Sequence, residues 1–281
     1  MDKKDFALTN RHGDLIRGNI HPAETGEAAP LLIICHGFKG FKDWGMFPFA
    51  ADTLAAHGIS VLRFNFSLNG IGDDPLNFTA LDRFERNTAS RELEDLDDVI
   101  NAVEGGDLRI ERTDPAKLVV LGHSLGGGIS VVKTAEDARI RAVITWAGVS
   151  TFDRWGPKIK KQWREQGRME ILNARTNQLM PMGVCMLDDL EINSRRLDIL
   201  AAAGRIRRPW LILHGDQDVS VPLDEGRKLY SSADASNTTL HVIPNTDHTF
   251  GAVHPFAGST AALDSVLDVT ATWLLNEARK W

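Results

Sequence analysis

The stretch Leu118-Val119-Val120-Leu121-Gly122-His123-Ser124-Leu125-Gly126-Gly127-Gly128 sets an apolar run against a serine flanked by glycines. Leu118 to Leu121 suits a strand buried on both faces, and Leu125 to Ala138 reads as a helix. Between them Gly122-His123-Ser124-Leu125-Gly126 fits G-x-S-x-G, a pattern that needs this strand, turn and helix setting. So tight a turn exposes the Ser124 hydroxyl, and bulky residues in place of the glycines would collide with the adjoining strand and helix. It also sets Ser124 at a helix N-terminus, where unpaired backbone N–H groups and the helix dipole favour developing negative charge. Ser124 is therefore the candidate nucleophile.

Outward from this stretch, similar short apolar runs recur at Leu31 to Cys35, Val61 to Phe64, Ala142 to Trp146, Trp210 to Leu213 and Leu240 to Ile243. Helical patterns lie between them, such as the stripe Ala89, Leu93, Leu96, Val99, Ile100 and Val103, and Ala261 to Leu275 reads as a last covering helix. The alternation predicts an α/β fold, a mostly parallel central sheet with helices on both faces, spanning 1–281 as a single domain. Phe6 to Thr9 and Leu15 to Gly18, around His12-Gly13-Asp14, predict an antiparallel hairpin at the start. Residues 150–205 interrupt the rhythm and are too long for a simple connection, so they are expected to form a cap insertion. Within it, Met169 to Ala174 and Gln178 to Pro181 flank Arg175-Thr176-Asn177 as a small hairpin.

A serine nucleophile needs a base and a group to orient it. Of the nine histidines, His248 stands in Asp247-His248-Thr249-Phe250, just after an apolar run. His214-Gly215-Asp216-Gln217-Asp218-Val219-Ser220-Val221-Pro222 follows the preceding run, which puts Asp216 and Asp218 at the carboxyl edge of the sheet, where α/β proteins build their sites. His36 and His123 read as structural neighbours of the site, and His254, beside Pro255, as a loop or helix-start residue.

From about Leu31 onward the chain resembles the α/β-hydrolase superfamily, whose order Ser, Asp, His it repeats. Within it the chain is similar to cinnamoyl (feruloyl) esterases and to the catalytic domains of acylaminoacyl-peptidases. The resemblance implies that the second aspartate of H-G-x-x-D-x-x-V-P, Asp218 rather than Asp216, is the acid. The family's D-H-x-F element selects His248 over His254 and His241, and its H-G-F element, His36-Gly37-Phe38, implies an oxyanion hole from the backbone N–H of Phe38 and Leu125. Large apolar residues crowd the cap and the oxyanion loop, and most belong to a core. The resemblance to cinnamoyl esterases makes Phe41, Trp44, Trp155, Met180 and Met182 the candidates for lining an acyl pocket. The expected activity is hydrolysis of carboxylic esters, with aromatic or medium-size apolar acyl groups.

Composition narrows the alternatives. A net charge of -6 without a basic block argues against a nucleic-acid partner. Met1 to Phe6 turns polar again by Thr9, with no apolar run of the signal-peptide kind, and no segment approaches the roughly 18 apolar residues of a membrane span, so a cytoplasmic protein is expected. Cys35 and Cys185 lack metal-ligand spacing and read as buried free thiols. Gly126-Gly127-Gly128 lacks the partners of a phosphate or dinucleotide loop, so neither cofactor nor metal is expected, and the partner is a small-molecule ester. The oligomeric state is not legible in the sequence. Two rival activities are acyl-peptide hydrolysis, disfavoured because no long N-terminal access-restricting domain precedes the motif, and ligand binding without catalysis, disfavoured by the complete triad.

Overall fold

The computed structural model describes residues 3–25, 28–173 and 176–281; Met1 and Asp2, and Ala174 and Arg175 of the expected inner hairpin, lie outside the described residues. The chain opens on the expected hairpin, β1 (Lys4–Thr9) and β2 (Leu15–His21), paired antiparallel. β3 (Ala29–Cys35), helix α1 (Phe47–Ala56), β4 (Ser60–Phe64), the short α2 (Leu81–Glu85), α3 (Ala89–Glu104), β5 (Thr113–His123), α4 (Leu125–Glu136) and β6 (Ile140–Trp146) follow. The insertion holds α5 (Pro157–Gln166), β7 (Arg168–Asn173), β8 (Gln178–Gly183), α6 (Cys185–Ile192) and α7 (Ile199–Ala203). β9 (Trp210–Gly215), α8 (Leu223–Ser232), β10 (Thr238–Ile243) and α9 (Ala261–Ala278) complete the chain.

The main sheet runs β1-β2-β4-β3-β5-β6-β9-β10, with β2 antiparallel to its neighbours and every pair from β4 to β10 parallel. Its two faces are legible in the strands. Leu31 and Ile33 enter one apolar cluster with the α3 stripe and α4, while Leu32 and Ile34 enter another with α1 and α9. Side chains alternate across a strand, so a continuous apolar run feeds both clusters at once. α3 buries the predicted stripe and starts at Thr88, whose side chain accepts from Arg91 N.

Two expectations need adjusting. The run Leu240 to Ile243 was expected to be buried on both faces, yet β10 is the sheet's edge strand and exposes Thr239, His241 and Val242. Cys35 is buried but Cys185 is only half-buried, and both thiols are free. In the insertion, β7 and β8 pair antiparallel from Arg168↔Gly183 to Asn173↔Gln178. Its last helix, α7, packs on α4 and α8, with Ile199 against Gly128. No helix among the described residues is long and apolar enough to cross a membrane.

Candidate active site

β5 delivers Ser124 to the carboxyl edge of the sheet and α4 begins at the next residue. Ser124 has φ 58° and ψ -121°, a conformation that side chains other than glycine adopt only under strain. Three backbone hydrogen bonds hold it there: its N–H donates to Trp146 O at 2.9 Å, and its carbonyl accepts from Gly127 N at 3.0 Å and Val149 N at 3.1 Å. The turn needs glycine at Gly126 because a Cβ there would sit 2.4 Å from the carbonyl oxygens of Cys35 and His36. That close approach brings the loop after β3 against the serine, and a Cβ on Gly37 would lie 2.9 Å from Ser124 Cβ.

Asp218 and His248 arrive from the loops after β9 and β10. His248 Nδ1 donates to Asp218 Oδ2 at 2.7 Å, while Oδ1 accepts from Ser220 N at 2.9 Å and Val221 N at 2.8 Å. The Asp218 side chain is fully buried and that of His248 is 14% exposed, so the carboxylate is dry and the imidazole reaches the opening. Burial alone would raise the Asp218 pKa, but His214, His248 and the Val221 amide outweigh it and hold the carboxyl well below the usual range. His214, a residue the sequence reading gave no role, lies with Nε2 at 3.5 Å from Asp218 Oδ2 and donates to Val221 O at 2.7 Å. Asp216 is exposed on the same loop and His241 is exposed on β10.

The other histidines brace the site. His123 Nε2 donates to the His248 carbonyl at 2.9 Å, fixing the loop that carries the base candidate. His36 Nδ1 donates to Gly37 O at 3.0 Å and Nε2 accepts from Phe66 N at 3.3 Å; burial pushes its pKa down to about 4, so it stays neutral. His254 Nδ1 accepts from Gly45 N at 3.0 Å and its ring packs on Phe41 and Trp44.

A cleft of about 350 Å³ opens over Ser124 and His248. Phe38, Leu125 and Trp155, all singled out from the sequence, line it, together with Lys39, Arg154 and Asn173, which were not. Leu125 opens α4, so its amide has no partner within the helix, and Phe38 precedes Lys39, whose φ of 54° turns the loop sharply at the cleft wall. Trp44 borders a narrower recess beside Ser124 with Gly37 and Phe47. Phe41, Met180 and Met182 lie elsewhere, each at most 1% exposed and absent from the cleft wall. Phe41 packs edge-on against Phe78 and His254, and Met180 and Met182 share the β8 face turned into the core, where Trp163 Nε1 donates to Met182 O at 2.8 Å. The resemblance nominated these three on their apolar character, but strand alternation turns Met180 and Met182 into the core and ring packing on Phe78 and His254 holds Phe41 there.

Known proteins agree with this architecture. The polyketide transferase ATR5 of Stachybotrys chlorohalonatus is 28% identical over 153 residues, 54% of this chain and 46% of its own, so the chain spans less than half of that relative's length. A putative hydrolase from Agrobacterium vitis S4 superposes with a TM-score of 0.76 at 20% identity, covering 98% of this chain and all of its own. Est1E from Butyrivibrio proteoclasticus, solved with ferulic acid bound, gives a TM-score of 0.71 at 20% identity over 97% of this chain and 98% of its own. A family model described as the alpha/beta hydrolase family matches residues 32–260, and the chain belongs to that family.

Proposed function

We propose that the protein is a serine carboxylesterase acting on small-molecule esters through Ser124, His248 and Asp218. The observation that carries this reading is the dry Asp218 carboxylate, fixed by two backbone amides and bonded to His248 Nδ1 beside a serine in a strained turn on the same cleft. An aspartate held this way keeps the proton on Nδ1 and leaves Nε2 to act as the base. His248 takes the Ser124 proton as Oγ attacks the ester carbonyl, and the Phe38 and Leu125 amides bind the resulting oxyanion. The C–O bond to the alcohol breaks as His248 returns the proton to the leaving oxygen. Water then gives its proton to His248 and attacks the acyl carbon, and Ser124 leaves reprotonated. Asp218 stays ionised throughout.

The insertion 150–205 acts in this reading as a cap. Support comes from Trp155 and Asn173, which stand on the cleft wall, and from Lys39 Nζ, which donates to Leu172 O at 3.1 Å and so ties the oxyanion loop to β7. Arg154 fastens the start of the insertion to α8 through Glu225 at 2.9 Å. The test is labelling with a fluorophosphonate, alongside turnover of p-nitrophenyl esters of graded acyl length, methyl cinnamates and aminoacyl amides. Wild type should label on Ser124 and hydrolyse esters. Ser124→Ala should lose label and on the order of 10⁴ or more in kcat while remaining folded. A variant keeping a tenth of the activity would remove Ser124 from the mechanism, and faster cleavage of amides than of esters would favour the peptidase reading.

A further inference from the structure

His214 stands next to last in β9, four residues before Asp218, and its side chain has no exposed surface. Its Nε2 meets two oxygens, the Val221 carbonyl at 2.7 Å and Asp218 Oδ2 at 3.5 Å, and both are acceptors, so Nε2 carries the ring proton. That N–H belongs to Val221, because 3.5 Å is too long for a full second hydrogen bond. On the other side of the ring Nδ1 is buried with no hydrogen-bond partner. A phenylalanine would fill the same space without leaving a nitrogen unsatisfied, so what the imidazole adds at this place is the single N–H aimed at Val221.

A second observation concerns α8, which passes beside the ring at Gly226. A Cβ there would lie 2.7 Å from His214 Nδ1 and 3.2 Å from its Cγ, closer than packed atoms approach. Gly226 has ordinary helical backbone inside α8, where glycine weakens a helix relative to alanine. Room for the imidazole is what the glycine provides. The ring it admits holds Val221 by the carbonyl, while the Val221 N–H donates to Asp218 Oδ1 at 2.8 Å. Ser220 N reaches the same oxygen at 2.9 Å, so the orientation of the carboxylate depends on where residues 220–221 stand. With Oδ1 fixed, Oδ2 faces His248 Nδ1 at 2.7 Å.

We propose that His214 is the positioning residue of the acid: seated against Gly226, its N–H locks Val221, and the two amides of the locked loop aim Asp218 Oδ2 at His248. The proposal rests on the esterase reading for what that aim accomplishes, whereas the aim itself belongs to the folded chain and can be read without turnover. His214 touches neither the substrate nor the reacting atoms. Its loss therefore weakens the bond between Asp218 and His248, and with it the chemical step, while substrate binding is left alone.

Three substitutions test it. His214→Phe keeps the bulk of the ring and removes the N–H, His214→Gln brings an amide N–H to the place of Nε2, and Gly226→Ala leaves His214 intact but drives a Cβ into it. In a Ser124→Ala background the His248 Nδ1 proton is followed by NMR of 15N-labelled protein, as a resonance downfield of the backbone amides whose position reports the bond to Asp218. It should move upfield with His214→Phe and with Gly226→Ala and stay in place with His214→Gln. With Ser124 restored, kcat for p-nitrophenyl acetate should fall about tenfold or more in His214→Phe and Gly226→Ala with KM within about twofold, and His214→Gln should recover most of the loss. Gly226→Ala is the sharper arm, since helix propensity alone would raise Tm and leave kcat unchanged. A purely structural role would lower Tm without moving the resonance. A resonance unmoved in folded His214→Phe and Gly226→Ala proteins, or one shifted as far by His214→Gln as by His214→Phe, would overturn the proposal. If the resonance responds as expected but no ester is turned over, His214 keeps its role in aiming Asp218 and the esterase reading falls.

Discussion

Replacing Asp218 by asparagine tests the site through one atom. Asp218 Oδ1 is committed to the amides of Ser220 and Val221 at 2.9 and 2.8 Å, so an asparagine must keep its carbonyl oxygen in that position. Its NH2 then occupies the place of Oδ2, 2.7 Å from His248 Nδ1 and 3.5 Å from His214 Nε2. Two donors cannot face each other at that distance, so His248 must give up the Nδ1 proton and carry it on Nε2. In the proposed mechanism that is the nitrogen that receives the Ser124 proton. The expected loss is about 10⁴ in kcat, or about 5 kcal/mol of barrier, with the fold retained because the two amide contacts survive. Asp216, exposed two residues away, serves as an internal control whose asparagine variant should stay within about twofold of wild type. The assay is initial-rate hydrolysis of p-nitrophenyl acetate at neutral pH, with thermal melts of each variant. Asp218→Asn retaining a tenth of wild-type kcat, or Asp216→Asn proving the more damaging, would refute the assignment of the acid.

Gly37→Ala places a Cβ 2.9 Å from Ser124 Cβ and should push the serine out of line, lowering kcat by about 10² with little change in Tm; activity within a factor of about two would mean the loop yields instead. Trp155→Ala removes an apolar side chain from the cleft wall and should lower kcat/KM for cinnamate esters about tenfold or more while acetate esters change little, so an unchanged cinnamate-to-acetate ratio would take Trp155 out of the proposed acyl site. The raised pKa of Glu92 makes native and unfolded chains differ in bound protons: stability contributed by its protonated form is complete below its ordinary value of 4.5 and is lost as pH rises through about 8. Glu92→Gln removes the titration, so its Tm relative to wild type should rise between roughly pH 5 and pH 9, and a pH-independent difference would show that Glu92 is ionised in the native state.

The sequence by itself determined the sheet, because the signals that build it are short-range. The runs at Leu31, Val61, Leu118, Ala142 and Trp210 announce strands that feed apolar residues to both faces, and all of them become parallel strands between helices. Ser124 was legible for the same reason, since a tight turn between strand and helix demands its glycines locally. The choice between Asp216 and Asp218 stayed open on the residues alone and rested on resemblance. What separates them in space is the fold of the loop, which turns the Ser220 and Val221 amides onto one carboxylate and leaves the other in solvent. Tertiary structure alone decided which large apolar groups line the cleft over Ser124. Phe41, Met180 and Met182 are as hydrophobic as Trp155, but core and cleft wall accept the same chemistry, and only the register of β8 and the packing around Phe41 assign each residue a side. Glu92 left a faint mark in the sequence, a charge four residues before Leu96 on the apolar stripe of α3. Its burial with one carboxyl oxygen unpaired appeared only in the tertiary structure, because an unpaired oxygen is a property of a place and not of a residue.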